Sequence, residues 1–513
     1  MHDRRAVKSL QLSLRALRVY RICDGLSGKL IYLQVIFAPW AFGTTQPWAI
    51  WSMNIGGYSL GALLGIKLAI RALSGYQGHR WDEEETVRDE LSPAAKARRF
   101  LSRCLAILTV LILLYCLIST VNARSNYHRA GANFEYFHFI PWLPHSYDQS
   151  SSRQAFYNYL ALAFSFWALR DWLAGKSAAE ERAERGHYEE SGGRRGMLLP
   201  ERLRRLLWVL AINGGLLGME GIVQRMADTG KLLFLVQARV NRDAESQFGP
   251  YAYRSNAAQY FNLIWPACLG FWWSLQRASH RTYQRTKALR PKAHDCVLIS
   301  VIIMAACPII STTRAGALVT VVGLFAAAAI LWTAQRKGDF MAKAGILIFL
   351  VVTLGFGALL GWKRMAPRIE TEVFDKGLAK RNSLYEIARK IAEDYPMFGT
   401  GPGTFESVFQ IYRINPEAYW PAQLHNDWLE TRITFGWLGS ILIYLALIVV
   451  LARWFVPGGI PGGVRLAMLI WLGMAGCLVH ARYDFPFQIY SIVFVFLVLC
   501  AILFSITCKG RKS

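Results

Sequence analysis

Residues 344–361, AGILIFLVVTLGFGALLG, contain no charged side chain. A helix rises 1.5 Å per residue, so a run of this length comes close to the ~30 Å apolar thickness of a bilayer. A surface helix of a soluble protein would alternate this apolar character with a polar face. Here Thr353 alone interrupts it. Working outward, comparable segments occur at 28–44, 47–70, 101–121, 153–173, 205–222, 257–276, 296–312, 315–334, 436–452, 467–480 and 487–507. The fold class this predicts is an all-α polytopic membrane protein of about twelve transmembrane helices, with one large polar loop before the tenth.

Composition agrees. Of 513 residues, 54% are hydrophobic and 13% aromatic, and the mean hydropathy is +0.25. The net charge of +24 is distributed between apolar segments rather than gathered in one polar domain with interleaved aromatics, which argues against nucleic acid as a partner. Most Lys and Arg lie in the N-terminal segment, in alternate loops near 71–100, 174–204, 277–295, 335–343 and 453–466, and in the terminal KGRKS. This is the positive-inside pattern, and it predicts that both termini are cytoplasmic. The organisation expected is a cytoplasmic amphipathic segment over 1–27, membrane helices with their loops over 28–361, a large outward loop over 362–435, the last membrane helices over 436–507 and a cytoplasmic tail over 508–513. The N-terminal segment lacks the compact apolar core of a signal peptide. The nine cysteines fall in apolar segments, at their edges or in the terminal segments, which is neither a disulfide framework nor a metal-ligand cluster.

Three outward segments carry the chemistry. Ser311-Thr312-Thr313-Arg314-Ala315-Gly316 joins two apolar helices with almost no loop, so Arg314 sits at the outer interface, where a guanidinium is costly unless paired. A fixed arginine there suits bidentate binding of phosphate; snorkelling to headgroups is the plainer alternative. The second segment, RNSLYEIARKIAEDYPMFGTGPGTF (381–405), reads as a short amphipathic helix stopped by Pro396 and followed by a glycine turn containing Gly401. Arg381 would head that helix, against the dipole, which suggests an anion partner. The glycine turn reads better as structural than as a phosphate cradle.

The third segment is HNDWLETRITFGWLG (425–439). Helical spacing puts His425 and Arg432 on one face, with Asn426 and Asp427 adjacent, and Gly436 and Gly439 permit close helix approach. Imidazole titrates near neutral pH, which fits His425 for general-base work on a substrate borne by the membrane. Arg254, in YRSN, is a further candidate cation. Arg482 and Asp484, in ARYDFPFQ, read as a mutual ion pair. No acidic pair or His/Cys/Asp cluster suggests a metal, and no cofactor is expected.

At these residues the chain resembles the O-antigen ligase and polymerase superfamily of bacterial envelopes. His425-Asn426, nine intervening residues, then Gly436-x-x-Gly439 fit its signature. STTRAG resembles its Ser-Arg-Gly turn with Thr313 in place of Ser, and DFPFQIYSI resembles the ending of many members. The resemblance covers roughly 205–505 and implies a GT-C-like glycosyltransferase of the bacterial inner membrane whose large loop and active site are periplasmic. It further implies an undecaprenyl-diphosphate-linked glycan donor, bound by Arg314, Arg381 and Arg254. His425 would activate an acceptor hydroxyl of lipid A–core or another glycan, or assist the leaving group. Transfer would be metal-independent and inverting. The alternatives are an O-antigen or exopolysaccharide polymerase, a protein O-oligosaccharyltransferase of the same superfamily, and, from another class, a transporter or flippase.

Overall fold

A computed structural model describes residues 14–74, 76, 79–81, 93–177, 179–181, 199–286, 293–335, 338–369, 371–413, 422–457, 460, 461 and 463–507. The first part of the N-terminal segment, most of the polar stretch 174–204 and the tail 508–513 lie outside the described residues.

The described chain is mostly helical. Its helices are α1 (Leu14–Trp40), α2 (Pro47–Ser74), α3 (Pro93–Val121), α4 (Gln149–Ala174), α5 (Glu201–Ala227), α6 (Arg254–Thr286), α7 (Ala293–Ile310), α8 (Arg314–Trp332), α9 (Phe340–Ile369), α10 (Thr371–Asp394), α11 (Phe405–Tyr412), α12 (Asp427–Ala452), α13 (Val464–His480) and α14 (Tyr490–Ser505). Two short antiparallel hairpins project from the connections: β1 (Ser125–His128) with β2 (Asn133–Tyr136), and β3 (Lys231–Leu232) with β4 (Val236–Gln237).

Each predicted apolar segment lies on a helix. Among the described residues, six helical stretches are long and apolar enough to cross a membrane: Pro47–Leu73, Pro93–Val121, Glu201–Ala227, Arg314–Trp332, Phe340–Ile369 and Asp427–Phe455. His294–Ile310, Val464–His480 and Tyr490–Ser505 are shorter apolar helices. Helix α14 buries almost every side chain, and α6 is buried without a break from Ser255 to Phe271. A helix enclosed all round needs no polar face, so these two form the centre. Around them, α3, α9 and α12 leave leucine, isoleucine and valine exposed, as lipid-facing helices do.

Two expectations change. No break separates residues 14–27 from the first apolar segment, because α1 runs through both. The region 362–435, expected as a polar loop with one short helix and a helical approach to the tenth span, is largely helical among its described residues: α9 extends to Ile369, α10 begins at Thr371, and α12 begins at Asp427. Arg381 therefore lies inside α10 rather than at its head, and the unfavourable-dipole argument for it falls away.

Inter-loop contacts gather the connections after α3, α5, α7, α10 and α13 at one end of the bundle. Tyr147 N–H donates to Thr400 O (2.9 Å). Arg225 donates to both Ala244 O (2.8 Å) and Ser311 O (3.0 Å), and Arg381 donates to Tyr483 O (3.0 Å). Elsewhere, a charged network ties α1, α2, α4 and α5. Lys67, fully buried, bridges Asp24 (2.6 Å) and Asp171 (2.7 Å). Arg71 and Arg80 also bind Asp171, and Arg202 binds Asp24. Carboxylates so enclosed require this density of partners.

Candidate functional site

The glycine turn and α12 build the frame of the site. Gly436 has φ 59° and ψ −166°, a conformation essentially restricted to glycine, and it breaks α12 internally. The break exposes backbone groups that the turn after α10 takes up. Thr400 N–H donates to Ile433 O (2.9 Å), Gly401 N–H to Thr434 O (3.0 Å) and Trp437 N–H to Pro396 O (2.9 Å). The Tyr115 hydroxyl donates to Phe398 O (2.6 Å) and Phe435 O (3.0 Å). A Cβ at Gly436 would lie 2.3 Å from Met397 O, and one at Gly399 would lie 2.4 Å from Ile433 O. Gly401 and Gly439 likewise serve packing, against Ser146 and against Phe435 and Tyr115. The glycine turn thus packs tightly against α12 and Ser146.

Before α12, Asn426 is the N-cap and accepts from Leu429 N–H (3.3 Å). Asp427 and Glu430 follow in the first turn, where negative charge suits the helix dipole. His425 precedes the cap with φ 58°. That left-handed residue takes His425 out of the helical register, so it does not share a face with Arg432. Arg432 instead donates to Pro396 O (2.9 Å) and stacks over Trp437, 4.2 Å from the ring centroid. It braces the turn. Asp427 is buried and accepts from Phe487 N–H (2.7 Å) and the Gln488 amide (3.2 Å).

The imidazole of His425 turns towards α6 and the segment after α13. Its Nδ1 lies 2.8 Å from Asp484 Oδ1, and Ser255 donates its hydroxyl to Asp484 Oδ2. The His425 side chain is 29% exposed and that of Asp484 4%. Asp484 is therefore not paired with Arg482, as the sequence suggested. Arg482 lies over the Tyr385 and Tyr483 rings, 6.0 and 5.9 Å from their centroids. Burial pushes the Asp484 carboxyl up, but the hydrogen bond and charge of His425 and the Ser255 hydroxyl outweigh it and hold the group below the usual carboxylate value. An ionised carboxylate at this distance fixes the proton on Nδ1 and leaves Nε2 as the basic nitrogen. Phe485 packs edge-on to the imidazole at 4.8 Å, with Tyr253 at 6.1 Å stacked on Phe485. Tyr385 donates to the His425 carbonyl (2.9 Å).

Four arginines lie near one another on the side of Tyr253. Arg314 is held by the turn before α8, where Thr312 has φ 60°. Gly316 packs so closely on α6 that an added Cβ would lie 2.6 Å from Ala258 Cβ. Asn262 donates to Gly316 O (2.9 Å) and accepts from Thr320 (2.6 Å), which clamps α8 to α6. Arg314 donates to Arg368 O (3.3 Å) and feels the positive charge of both Arg368 and Arg381. Arg254, which donates to Glu245 O (2.6 Å), feels that of Arg368. Tyr253 lies within electrostatic reach of Arg254, Arg314 and Arg381. Burial raises its phenol well above the ordinary value, so it stays a neutral donor. Arg381 and Tyr385 are four residues apart on α10 and reach the site from one helical face.

Sequence reasoning missed Asp484 in this role, together with Ser255, Tyr253 and Arg368. Tyr253 and Asp484 adjoin motifs already noted. Arg368 sat among many cations of one polar stretch and carried no signal of its own.

The fold is that of a helical membrane protein whose carboxylate-oriented histidine stands just before α12. Residues 299–444 match the O-antigen ligase family, a family of glycosyltransferase-like ligases and polymerases, and this match supports a place in the O-antigen ligase/polymerase superfamily. The match includes Arg314, Arg368, Arg381, His425 and both Gly436 and Gly439. Arg254 and Asp484 lie outside it. No curated protein matches the chain.

Proposed function

We propose that this protein transfers a glycan from undecaprenyl diphosphate to a hydroxyl of lipid A–core, on the periplasmic face of a twelve-span inner-membrane fold. The observation that carries the reading is the His425–Asp484 pair, 2.8 Å apart, beside Tyr253, which lies in electrostatic reach of Arg254, Arg314 and Arg381. The acceptor oxygen attacks the anomeric carbon and its proton passes to His425 Nε2. The bond from that carbon to the diphosphate oxygen breaks, and the electron pair leaves with the polyprenyl diphosphate. Asp484 holds the imidazole in the required tautomer and stabilises the imidazolium that forms. Direct displacement inverts the anomeric centre. The arginines neutralise charge that grows on the leaving diphosphate, a contribution that is large where water is excluded.

A transport pathway would need charges placed along the spans. Here the buried Lys67, Asp24 and Asp171 are mutually paired, which favours the transferase reading. The test is purified protein with a lipid-linked glycan and either lipid A–core or a second lipid-linked unit. Product on lipid A–core supports ligation. Product on the second unit alone makes the protein a polymerase. Product on neither overturns the proposal.

A further inference from the structure

His480 closes α13 and is 1% exposed, yet neither ring nitrogen has a hydrogen-bond partner among the described residues. An imidazole so enclosed forfeits stability that an apolar side chain of the same shape would keep. A buried polar group left in that state requires a reason beyond packing.

Its surroundings supply one. Helices α6 and α13 run antiparallel and approach closely, since a Cβ at Gly473 would lie 2.5 Å from Leu263 O. About two helical turns nearer the site, His480 comes level with Asn256 and Gln259 on α6. Asn256 Oδ1 and Gln259 Oε1 are likewise buried with no partner among the described residues. A neutral imidazole offers one N–H and one acceptor nitrogen, and each of these amides offers an acceptor oxygen. The Gln259 amide nitrogen approaches Ser255 Oγ at 3.5 Å, and the Ser255 hydroxyl donates to Asp484.

Asp484 itself follows His480 in a tight turn, where Tyr483 N–H donates to His480 O (2.9 Å). His480 and Asp484 lie within electrostatic reach of each other, and Arg381 of α10 also acts on His480. Tyr253 beside α6, Tyr385 on α10, and His425 and Asp427 at the start of α12 are within reach of Asp484 as well. The carboxylate that orients His425 thus has a second imidazole beside it, buried and uncommitted.

An ionised carboxylate that gave its whole charge to His425 would favour the imidazolium, which cannot take a proton. A second donor beside the carboxylate draws off part of that charge, so the ring stays oriented and unprotonated. We propose that His480 is a positioning residue of the transfer reaction, a buried donor that shares the charge of Asp484 and so limits how firmly Asp484 holds a second proton on His425. The proposal rests on His425 acting as the base.

Two readouts on the full-length protein in phosphatidylethanolamine/phosphatidylglycerol nanodiscs keep the two ideas apart. Diethyl pyrocarbonate acylates the unprotonated imidazole, so its rate at His425, followed against pH by peptide mass spectrometry, reports protonation with no substrate present. The second readout is the pH dependence of kcat/KM for transfer. In His480→Leu and His480→Phe the labelling midpoint should rise by about half a pH unit or more, roughly threefold in the protonation equilibrium. The acid limb of kcat/KM should move with it. His480→Gln keeps an N–H donor and should return both towards wild type. A merely structural histidine would change the melting temperature and leave the midpoint in place.

An unmoved midpoint in the apolar variants overturns the proposal. So does a shift that His480→Gln fails to reverse, or loss of folded protein in both apolar variants. If no acceptor receives sugar while the midpoint still moves, the transfer reaction fails and the coupling of His480 to His425 stands.

Discussion

His425 Nδ1 sits 2.8 Å from Asp484 Oδ1, joining two residues 59 positions apart in the chain. The imidazole is partly exposed and its carboxylate partner buried. That arrangement holds the ring by one nitrogen and presents the other.

His425→Ala and Arg314→Ala should each abolish glycan transfer without loss of folded protein in the membrane. Neither side chain belongs to the apolar core. Complementation of glycan assembly, beside expression and elution profiles, measures this. Normal assembly in either variant removes that residue from the mechanism.

Asp484→Asn keeps the shape but can favour the wrong imidazole tautomer. We expect kcat to fall by roughly 10²-fold or more, within the range for losing general-base function, with the donor KM nearly unchanged. Ser255→Ala should do less, because it only loosens the carboxylate. An unchanged kcat in Asp484→Asn would make the pair merely structural.

The same pair sets an acid limit. The Asp484 carboxyl is held below its ordinary value of 3.8. Its contribution to stability is therefore fully present above that pH and is lost as pH falls through the lower folded value. Thermal melts of the wild type should weaken through this acid window. In Asp484→Asn that part of the decline should flatten.

Gly436→Ala places a Cβ 2.3 Å from Met397 O in a conformation that only glycine adopts readily. Backbone strain and overpacking together should cost about 2–5 kcal/mol. A melting temperature equal to wild type would contradict the tight seam between α12 and the glycine turn. Tyr115→Phe, which removes the hydroxyl that donates to Phe398 O and Phe435 O, should cost a smaller ~1 kcal/mol.

Lys67→Met leaves Asp24 and Asp171 enclosed with one partner fewer. We expect about 3 kcal/mol of destabilisation, seen as a lower melting temperature with transfer per folded molecule retained. Selective loss of transfer at unchanged stability would mean that the network does more than hold α1, α2 and α4 together.

By itself the sequence determined where the chain is helical and apolar, because segment length and charge asymmetry are local properties set by the bilayer. It also offered Arg314, Arg381 and His425 as candidates, because their motifs are contiguous. It misread residues whose environment is non-local. Asp484 looked like the partner of its near neighbour Arg482, yet the turn after α13 sends it to His425. Arg432 looked like a companion of His425, yet the left-handed backbone at His425 breaks the shared helical face. The glycine break within α12, the convergence of Arg368 with the other arginines and the burial of His480 near Asp484 were decided by tertiary structure alone. Each depends on which backbone groups and side chains distant segments bring within a few ångströms of one another, and sequence spacing does not encode that distance.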